Sequence, residues 1–83
     1  MAASWTVYLL ECADGTYYIG STTDLARRLK EHNGPNGAKY TKARQPVVVR
    51  YAEQAPDRSS AQAREAALKK LSRAEKRALM EAS

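Results

Sequence analysis

Two tyrosines, an arginine, a histidine and a glutamate are the side chains of this sequence most suited to chemistry. They are Tyr8, Tyr18, Arg28, His32 and Glu65. A tyrosine or a histidine can move protons, and an arginine can neutralise a phosphate. A carboxylate can hold a hard divalent cation. Together these residue types are the parts of a metal-assisted phosphodiesterase.

Their spacing brings some of them together. Arg28 and His32 are four residues apart on a predicted helix and therefore share one face. Tyr8 and Tyr18 lie on two strands of a predicted hairpin, where they can meet on one side of the sheet if the register permits. Glu65 lies in the middle of a predicted helix.

Each residue also has an ordinary structural interpretation. The tyrosines could be strand aromatics, and Arg28 a solvated helix residue. His32 could complement the dipole at a helix C-terminus. Glu65 could pair with Lys69 at the favourable Glu-to-Lys spacing. Taken singly, none of them indicates a function.

Three strands are predicted to position these residues. Trp5–Cys12 and Thr16–Gly20 are rich in β-branched, aromatic and apolar residues, and the Asp14-Gly15 between them is a strong hairpin signal. Val47–Glu53, with three consecutive valines, is predicted as the third strand.

Three helices are predicted around the strands. The first runs over Leu25–His32, with a hydroxyl cap from Thr22 or Thr23 and an acid in its first turn, and it ends at the loop 33–37. The second begins at a capping box over residues 59–62 and continues to Leu71. The third begins at the box formed by Ser72 and Glu75 and runs through Leu79.

A basic stretch predicts an anionic partner. The formal net charge is +5, and half of the lysines and arginines fall between Arg27 and Arg50. Nucleic acid is the commonest partner of such a surface, although a solvated basic face is the alternative. The candidate nucleic-acid-binding residues are Arg27, Lys39, Tyr40, Lys42 and Arg44, of which Tyr40 could stack on an unpaired base.

The length of 83 residues predicts a single domain over residues 1–83, with its core within residues 5–79. No apolar run approaches the roughly 20 residues that span a bilayer, so no membrane partner is expected. The N-terminal residues lack the pattern of a secretory signal, and the single cysteine, Cys12, cannot form an internal disulfide. A cytoplasmic location is the expectation.

The order of these segments resembles the GIY-YIG endonuclease superfamily, and most closely its small stand-alone bacterial members. The matching segments are Thr6-Val7-Tyr8, Tyr18-Ile19-Gly20, the helix up to His32, Ala38-Lys39-Tyr40-Thr41 and Arg64-Glu65-Ala66. The second motif matches letter for letter, whereas the first has Thr and Val in place of Gly and Ile. Ser21 stands where some members carry a lysine.

The resemblance implies an α/β (α+β) fold with a three-stranded antiparallel sheet flanked by helices. It implies a nuclease that hydrolyses phosphodiester bonds in DNA, in repair, recombination or mobile-element contexts, with Mg²⁺ or Mn²⁺ held by Glu65. The family's catalytic residues match Tyr8, Tyr18, Arg28 and His32, and either tyrosine could be the base. All five residues are expected to converge on one concave face.

Two other function classes fit the same sequence. One is a non-catalytic nucleic-acid-binding module with this fold, and the other is a protein-interaction domain that uses the last helix. A carboxylate facing phosphate favours the enzyme, because a binding module has no need of it. The residues do not distinguish DNA from RNA, or a monomer from a dimer.

Overall fold

A three-stranded antiparallel sheet lies at the centre of the protein. The computed structural model describes residues 4–35 and 39–82, without the side chains of residues 39, 40 and 82. Strand β1 (Trp5–Cys12) lies between β2 (Tyr17–Thr22) and β3 (Val47–Ala55). The helices of the described part are α1 (Leu25–His32), α2 (Lys39–Lys42), α3 (Arg58–Lys69) and α4 (Arg73–Ala82). The predicted fold class is confirmed.

The hairpin of β1 and β2 turns where the sequence predicts. Gly15 has a φ of +84°, a backbone conformation that glycine adopts at no steric cost. β1 has its predicted bounds, whereas β2 and β3 each run two residues further than predicted, to Thr22 and Ala55. The extension of β2 adds Ser21 to the edge strand.

Both faces of the sheet are covered, and this explains the continuous apolar run in β1. One face carries Val7 and Leu9, which pack with Ala61 and Leu68 of α3. We call it the α3 face. The other face carries Tyr8 and its neighbours, with α1 packed against them, and we call it the α1 face. A central strand that is buried on both sides needs no polar alternation.

The cap of α1 differs from the prediction. Asp24 is the N-cap, and its carboxylate accepts a hydrogen bond from the backbone N–H of Arg27 at 3.1 Å. Thr22 cannot act as the cap because its hydroxyl accepts the backbone N–H of Asp24 instead. The first turn contains no acid.

One of the other two predicted caps is also wrong. Asp57 caps α3 by accepting the backbone N–H of Ser60 at 2.7 Å, so the helix begins before the predicted box. The box at α4 is confirmed, since Ser72 and Glu75 each accept the other's backbone N–H. None of the helices in the described part is long and apolar enough to span a membrane.

The segment after α1 is tied back to the sheet. Asn33 exchanges two hydrogen bonds with the backbone of Val47, at 2.8 and 3.0 Å. The Gln45 amide donates to the backbone carbonyls of His32 and Gly34. The predicted loop over 33–37 lies only partly within the described residues. The basic segment that follows it, whose structure the sequence leaves open, contains the short helix α2.

Candidate active site

Tyr8 is fixed by a glycine on the neighbouring strand. Tyr8 pairs with Gly20 across the β1–β2 ladder, and the phenol of Tyr8 lies over that glycine. A Cβ atom at position 20 would lie 2.5 Å from the Tyr8 hydroxyl oxygen, closer than real Cβ atoms approach. Glycine at this position therefore lets the phenol extend toward the edge of the sheet.

His32 is the hydrogen-bond partner of Tyr8. It is the last residue of α1 and is fully buried. Its Nε2 atom lies 3.1 Å from the Tyr8 hydroxyl, and its Nδ1 atom lies 2.8 Å from the hydroxyl of Thr41 in α2. Both ring nitrogens are thus paired inside the protein, and the pairing joins β1, α1 and α2.

Tyr18 completes an aromatic cluster on the α1 face. Its ring centroid lies 4.9 Å from that of His32 in an edge-on arrangement and 6.5 Å from that of Tyr8. Tyr18 is half-buried, whereas Tyr8 is only 1% exposed. Tyr18 is therefore the phenol that solvent and substrate reach more readily.

Arg28 borders this cluster from one turn earlier in α1. Its guanidinium forms an ion pair with Glu31 at 3.0 Å, and Tyr8 is a second neighbour that acts on its charge. These partners, Glu31 first, raise the pKa of Arg28 above its usual value. The side chain is 36% exposed, so its cationic end can meet an anion from solvent.

Burial sets the protonation states of the cluster. It raises the pKa of Tyr8 above that of a free tyrosine, and the nearby Arg28 offsets part of this rise. Burial also lowers the pKa of His32, and the positive charge of Arg28 lowers it further. At neutral pH the free protein therefore holds a neutral imidazole against a neutral phenol.

Glu65 approaches the cluster from the other side of the sheet. It lies on α3, where its Oε1 accepts a hydrogen bond from the Ser21 hydroxyl at 3.0 Å and its Oε2 pairs with Lys69 at 2.9 Å. Ser21 is opposite Val7 in the ladder, which places both on the α3 face. Because β2 is an edge strand, Glu65 lies at the edge of the sheet, and its charge acts on Tyr8 from there.

The structure brings Tyr8, Tyr18, Arg28 and His32 together on the α1 face. Glu65 reaches the edge strand β2 from α3, where it contacts Ser21, the residue after the Gly20 that lies under the Tyr8 phenol. Convergence of all five residues on one concave face stays a prediction. The candidate site wraps around the edge of β2.

Glu65 can bind a hard cation, but one of its carboxylate oxygens is already paired with Lys69. A half-buried carboxylate can bind Mg²⁺ together with substrate phosphates and water, since Mg²⁺ often takes only one or two protein carboxylates. The described residues contain no group of three or more His, Cys, Asp or Glu side chains placed to hold a metal ion. Lys69 occupies one carboxylate oxygen, so a cation would have to compete with its ammonium group.

The predicted nucleic-acid-binding residues have different environments. Arg27 and Lys42 are exposed, and Arg27 lines a groove of about 230 Å³ along the C-terminal half of α1. Arg44 forms an ion pair with Asp14 of the hairpin at 3.1 Å. The side chains of Lys39 and Tyr40 lie outside the described part of the structure.

Two site residues are missed by the sequence-based reasoning. Ser21 is treated there as a lost lysine, but in the structure it donates to Glu65. Thr41 belongs to a matching segment of the family resemblance, but the sequence assigns it no role, whereas in the structure it pairs with His32.

Comparison with known protein families gives one match over most of the chain. The family model of the GIY-YIG catalytic domain matches residues 4–78. A UPF0213 protein of Halobacterium salinarum is 55% identical over 73 residues, which cover 88% of this chain and 95% of that relative. A UPF0213 protein of Desulfotalea psychrophila is 52% identical over 81 residues, or 96% of this chain and 74% of the relative.

Two solved structures share the fold. The solution NMR structure of a UPF0213 protein from Bacillus halodurans has a TM-score of 0.61 and 40% sequence identity, and the match covers 96% of this chain and 85% of that one. The solution NMR structure of a protein from E. faecalis has a TM-score of 0.64 and 43% identity, covering 95% and 84%. The names of these relatives specify neither a substrate nor a metal.

Proposed function

This chain is a member of the GIY-YIG family, and we propose that it is a metal-dependent nuclease that hydrolyses phosphodiester bonds in DNA. The observation that carries the proposal is the buried Tyr8 hydroxyl, which lies 3.1 Å from Nε2 of His32 and is acted on by the charge of Arg28. A buried phenol with a proton acceptor on one side and a phosphate-binding cation on the other is suited to general-base chemistry at phosphorus. We further propose that the enzyme acts in DNA repair, in recombination or in mobile-element processes.

Tyr8 takes a proton from the attacking water, while its own proton moves to Nε2 of His32. The hydrogen bond between Tyr8 and His32 provides this route. In the free protein the charge of Arg28 disfavours a protonated imidazole. A bound phosphate offsets that charge, so His32 becomes a better proton acceptor when substrate is present. Tyr18, which is more exposed, orients the water.

Arg28 stabilises the negative charge that builds on the phosphate. To do so it must exchange Glu31 for a phosphate oxygen. An exposed ion pair of this kind is worth less than about 1 kcal/mol, so the exchange costs little. Its fork of N–H donors can bind two phosphate oxygens at once.

Glu65 is the residue that would hold the metal, with Ser21 orienting the carboxylate. A Mg²⁺ or Mn²⁺ ion bound there would supply Lewis-acid polarisation of the phosphate. A cation bound there would compete with the ammonium group of Lys69 for one carboxylate oxygen of Glu65.

Exposed cations on α1 and α2 hold the nucleic-acid backbone near the site. Arg27 and Lys42 are exposed and able to contact phosphates. Lys39 and Tyr40 remain predictions from the sequence. Arg44 is the weakest candidate, because its ion pair with Asp14 already neutralises part of its charge.

Cleavage of a panel of labelled DNAs tests the nuclease proposal. Single-stranded, duplex and branched substrates are incubated with Mg²⁺, with Mn²⁺ and with EDTA. Cleavage that requires metal and is lost in both Tyr8→Phe and Arg28→Ala is expected. Arg58→Ala is the matched control, because Arg58 is an exposed arginine on the helix that covers the other face. Cleavage that survives in Tyr8→Phe and Arg28→Ala would contradict the proposed site.

The ion pair of Glu65 supports a second candidate function. A carboxylate already neutralised by Lys69, on the face opposite Arg28, is also what a non-catalytic nucleic-acid-binding module could contain. A protein that binds the whole DNA panel in a salt-dependent manner, but cuts none of it with either metal, would favour the binding module.

A further inference from the structure

A continuous chain of buried hydrogen bonds runs from β1 to α2. The Tyr8 hydroxyl contacts Nε2 of His32, and Nδ1 of His32 contacts the Thr41 hydroxyl. His32 and Thr41 are both fully buried, and Tyr8 is 1% exposed. Polar groups this deeply buried are normally hydrogen-bonded within the protein, and these contacts are part of that pairing.

The positive charge of Arg28, which acts on Tyr8, favours one direction for these hydrogen bonds. A guanidinium only donates, so toward Arg28 the Tyr8 oxygen can serve only as an acceptor. The Tyr8 O–H is then left to donate to Nε2 of His32. A neutral imidazole carries one N–H, which must in that case be on Nδ1.

We propose that Thr41 is a positioning residue that accepts the Nδ1–H of His32 and so fixes Nε2 as the proton acceptor that faces Tyr8. This inference rests on the proposed function only for its catalytic consequence. The hydrogen-bond arrangement itself is a property of the free protein.

The surrounding segment is built to hold Thr41 in place. The backbone N–H of Arg44 donates to the Thr41 carbonyl at 2.9 Å. The Gln45 amide donates to the His32 carbonyl at 2.7 Å, and Asn33 holds the end of α1 against Val47. Hydrogen bonds therefore hold the chain segments on both sides of the His32–Thr41 contact in place. The short helix α2 thus positions Thr41 against His32, in addition to any contact that it makes with phosphates.

The single histidine of the sequence makes the inference directly measurable. Imidazole ¹⁵N chemical shifts distinguish a protonated from an unprotonated ring nitrogen, and only His32 contributes to them. In the wild-type protein at neutral pH we expect Nδ1 to be protonated and Nε2 unprotonated. A spectrum with the proton on Nε2 would overturn the proposal.

The variants Thr41→Val and Thr41→Ser distinguish the effect of the Thr41 hydroxyl from the effect of the side-chain volume. Valine has nearly the shape of threonine but cannot accept the Nδ1–H, so the proton is expected to move at least partly to Nε2. Serine keeps the acceptor, and its spectrum should match the wild type. An unchanged tautomer in Thr41→Val would refute the role of Thr41. If the valine variant does not fold, the wild-type and serine spectra still decide between the two tautomers.

Cleavage kinetics give the catalytic consequence. Loss of one buried hydrogen bond is worth about 1 kcal/mol, so kcat should fall roughly fivefold in Thr41→Val, with KM little changed and with serine restoring the rate. An equal loss of kcat in the serine variant would contradict the inference. If the wild-type protein cuts no DNA, the nuclease proposal fails while the ¹⁵N spectra still test Thr41.

Discussion

Gly20 determines where the Tyr8 phenol can go, and Tyr8 in turn determines where His32 must be. The phenol fits over position 20 only because that residue has no Cβ. Once the phenol is in place, its hydroxyl lies within hydrogen-bond distance of the buried imidazole. The glycine of the second motif thus acts through the shape of the site rather than through chemistry of its own.

Burial of His32 gives the protein a pH-dependent stability. Its pKa in the folded state lies below the unfolded value of 6.5, so the unfolded chain binds more protons as the pH falls. The contribution of His32 to stability is complete when the pH lies well above the unfolded-state pKa of 6.5. It is lost as the pH falls through 6.5 toward the folded-state pKa. We expect the free energy of unfolding, measured by urea denaturation, to fall between about pH 7.5 and 5.5 by up to about 1.4 kcal/mol per pH unit.

His32→Gln is the matched variant, because glutamine can hydrogen-bond but does not titrate in this range. Its stability should be lower overall but nearly flat over the same pH interval. A variant as pH-dependent as the wild type would show that another group is responsible for the slope.

Glu65 and Lys69 are expected to affect metal binding in opposite directions. Glu65→Gln removes the charge that a hard cation requires, so Mn²⁺ binding measured by calorimetry in the absence of DNA should be lost. Lys69→Met removes the competing ammonium, so Mn²⁺ should bind more tightly. Both variants should fold, since an (i, i+4) pair on a helix is worth only about 0.5 kcal/mol. Equal Mn²⁺ affinity in all three proteins would mean that Glu65 is not the ligand.

At the scale of elements, α1 is the helix on which the site depends most. It carries both Arg28 and His32 and is only eight residues long, which is too short for an isolated helix to be stable. Its cap at Asp24 and the hydrogen bonds of Asn33 to Val47 hold the two ends. The orientation of Arg28 and His32 therefore depends on these terminal contacts.

Asp24→Ala should destabilise the protein by about 1 kcal/mol, because it removes the acceptor of the Arg27 N–H at the first turn. Thr23→Ala is the control, since Thr23 is the neighbouring exposed residue and does not cap the helix. The two variants are compared by their urea midpoints. Equal destabilisation in both would show that the carboxylate cap contributes little.

The elements themselves were predictable, because each leaves a local signal in the sequence. The valines of β3 and the Asp14-Gly15 turn predict the strands, and the spacing of Leu25 and Leu29 predicts α1. The caps of α1 and α3 were assigned wrongly because neighbouring hydroxyl and carboxyl groups compete for the same N–H donors. Which side chain accepts the N–H of the first helical turn depends on the path of the chain before the helix.

The site was predictable only in part, for a related reason. Residue types and the family resemblance pointed to Tyr8 and His32. The contacts of Ser21 and Thr41 depend on which elements lie side by side, which local patterns do not show. The placement of Glu65 on the α3 face follows from the packing of α3 on Val7 and Leu9, and a helical position alone does not reveal it.

At the scale of the whole molecule, the two edge strands have different surroundings. β2 carries Gly20 and Ser21, so the candidate site lies at its edge, while β3 forms the opposite edge of the sheet. The exposed cations Arg27 and Lys42 belong to helices on the α1 face. A nucleic-acid backbone that contacts both would therefore run along the α1 face, which also carries Arg28.

Salt dependence of DNA binding tests this path. With a net charge of +5, the protein should bind more weakly as salt rises from about 50 to 200 mM, because phosphate contacts release counterions. Arg27→Ala and Lys42→Ala should each weaken binding and lower the slope of log K against log salt by about one. Arg58→Ala removes the same charge as Arg27→Ala from a helix on the other face, so its slope should match the wild type. Equal slopes in all four proteins would mean that the α1 face is a solvated basic surface, and DNA would then have to be held elsewhere.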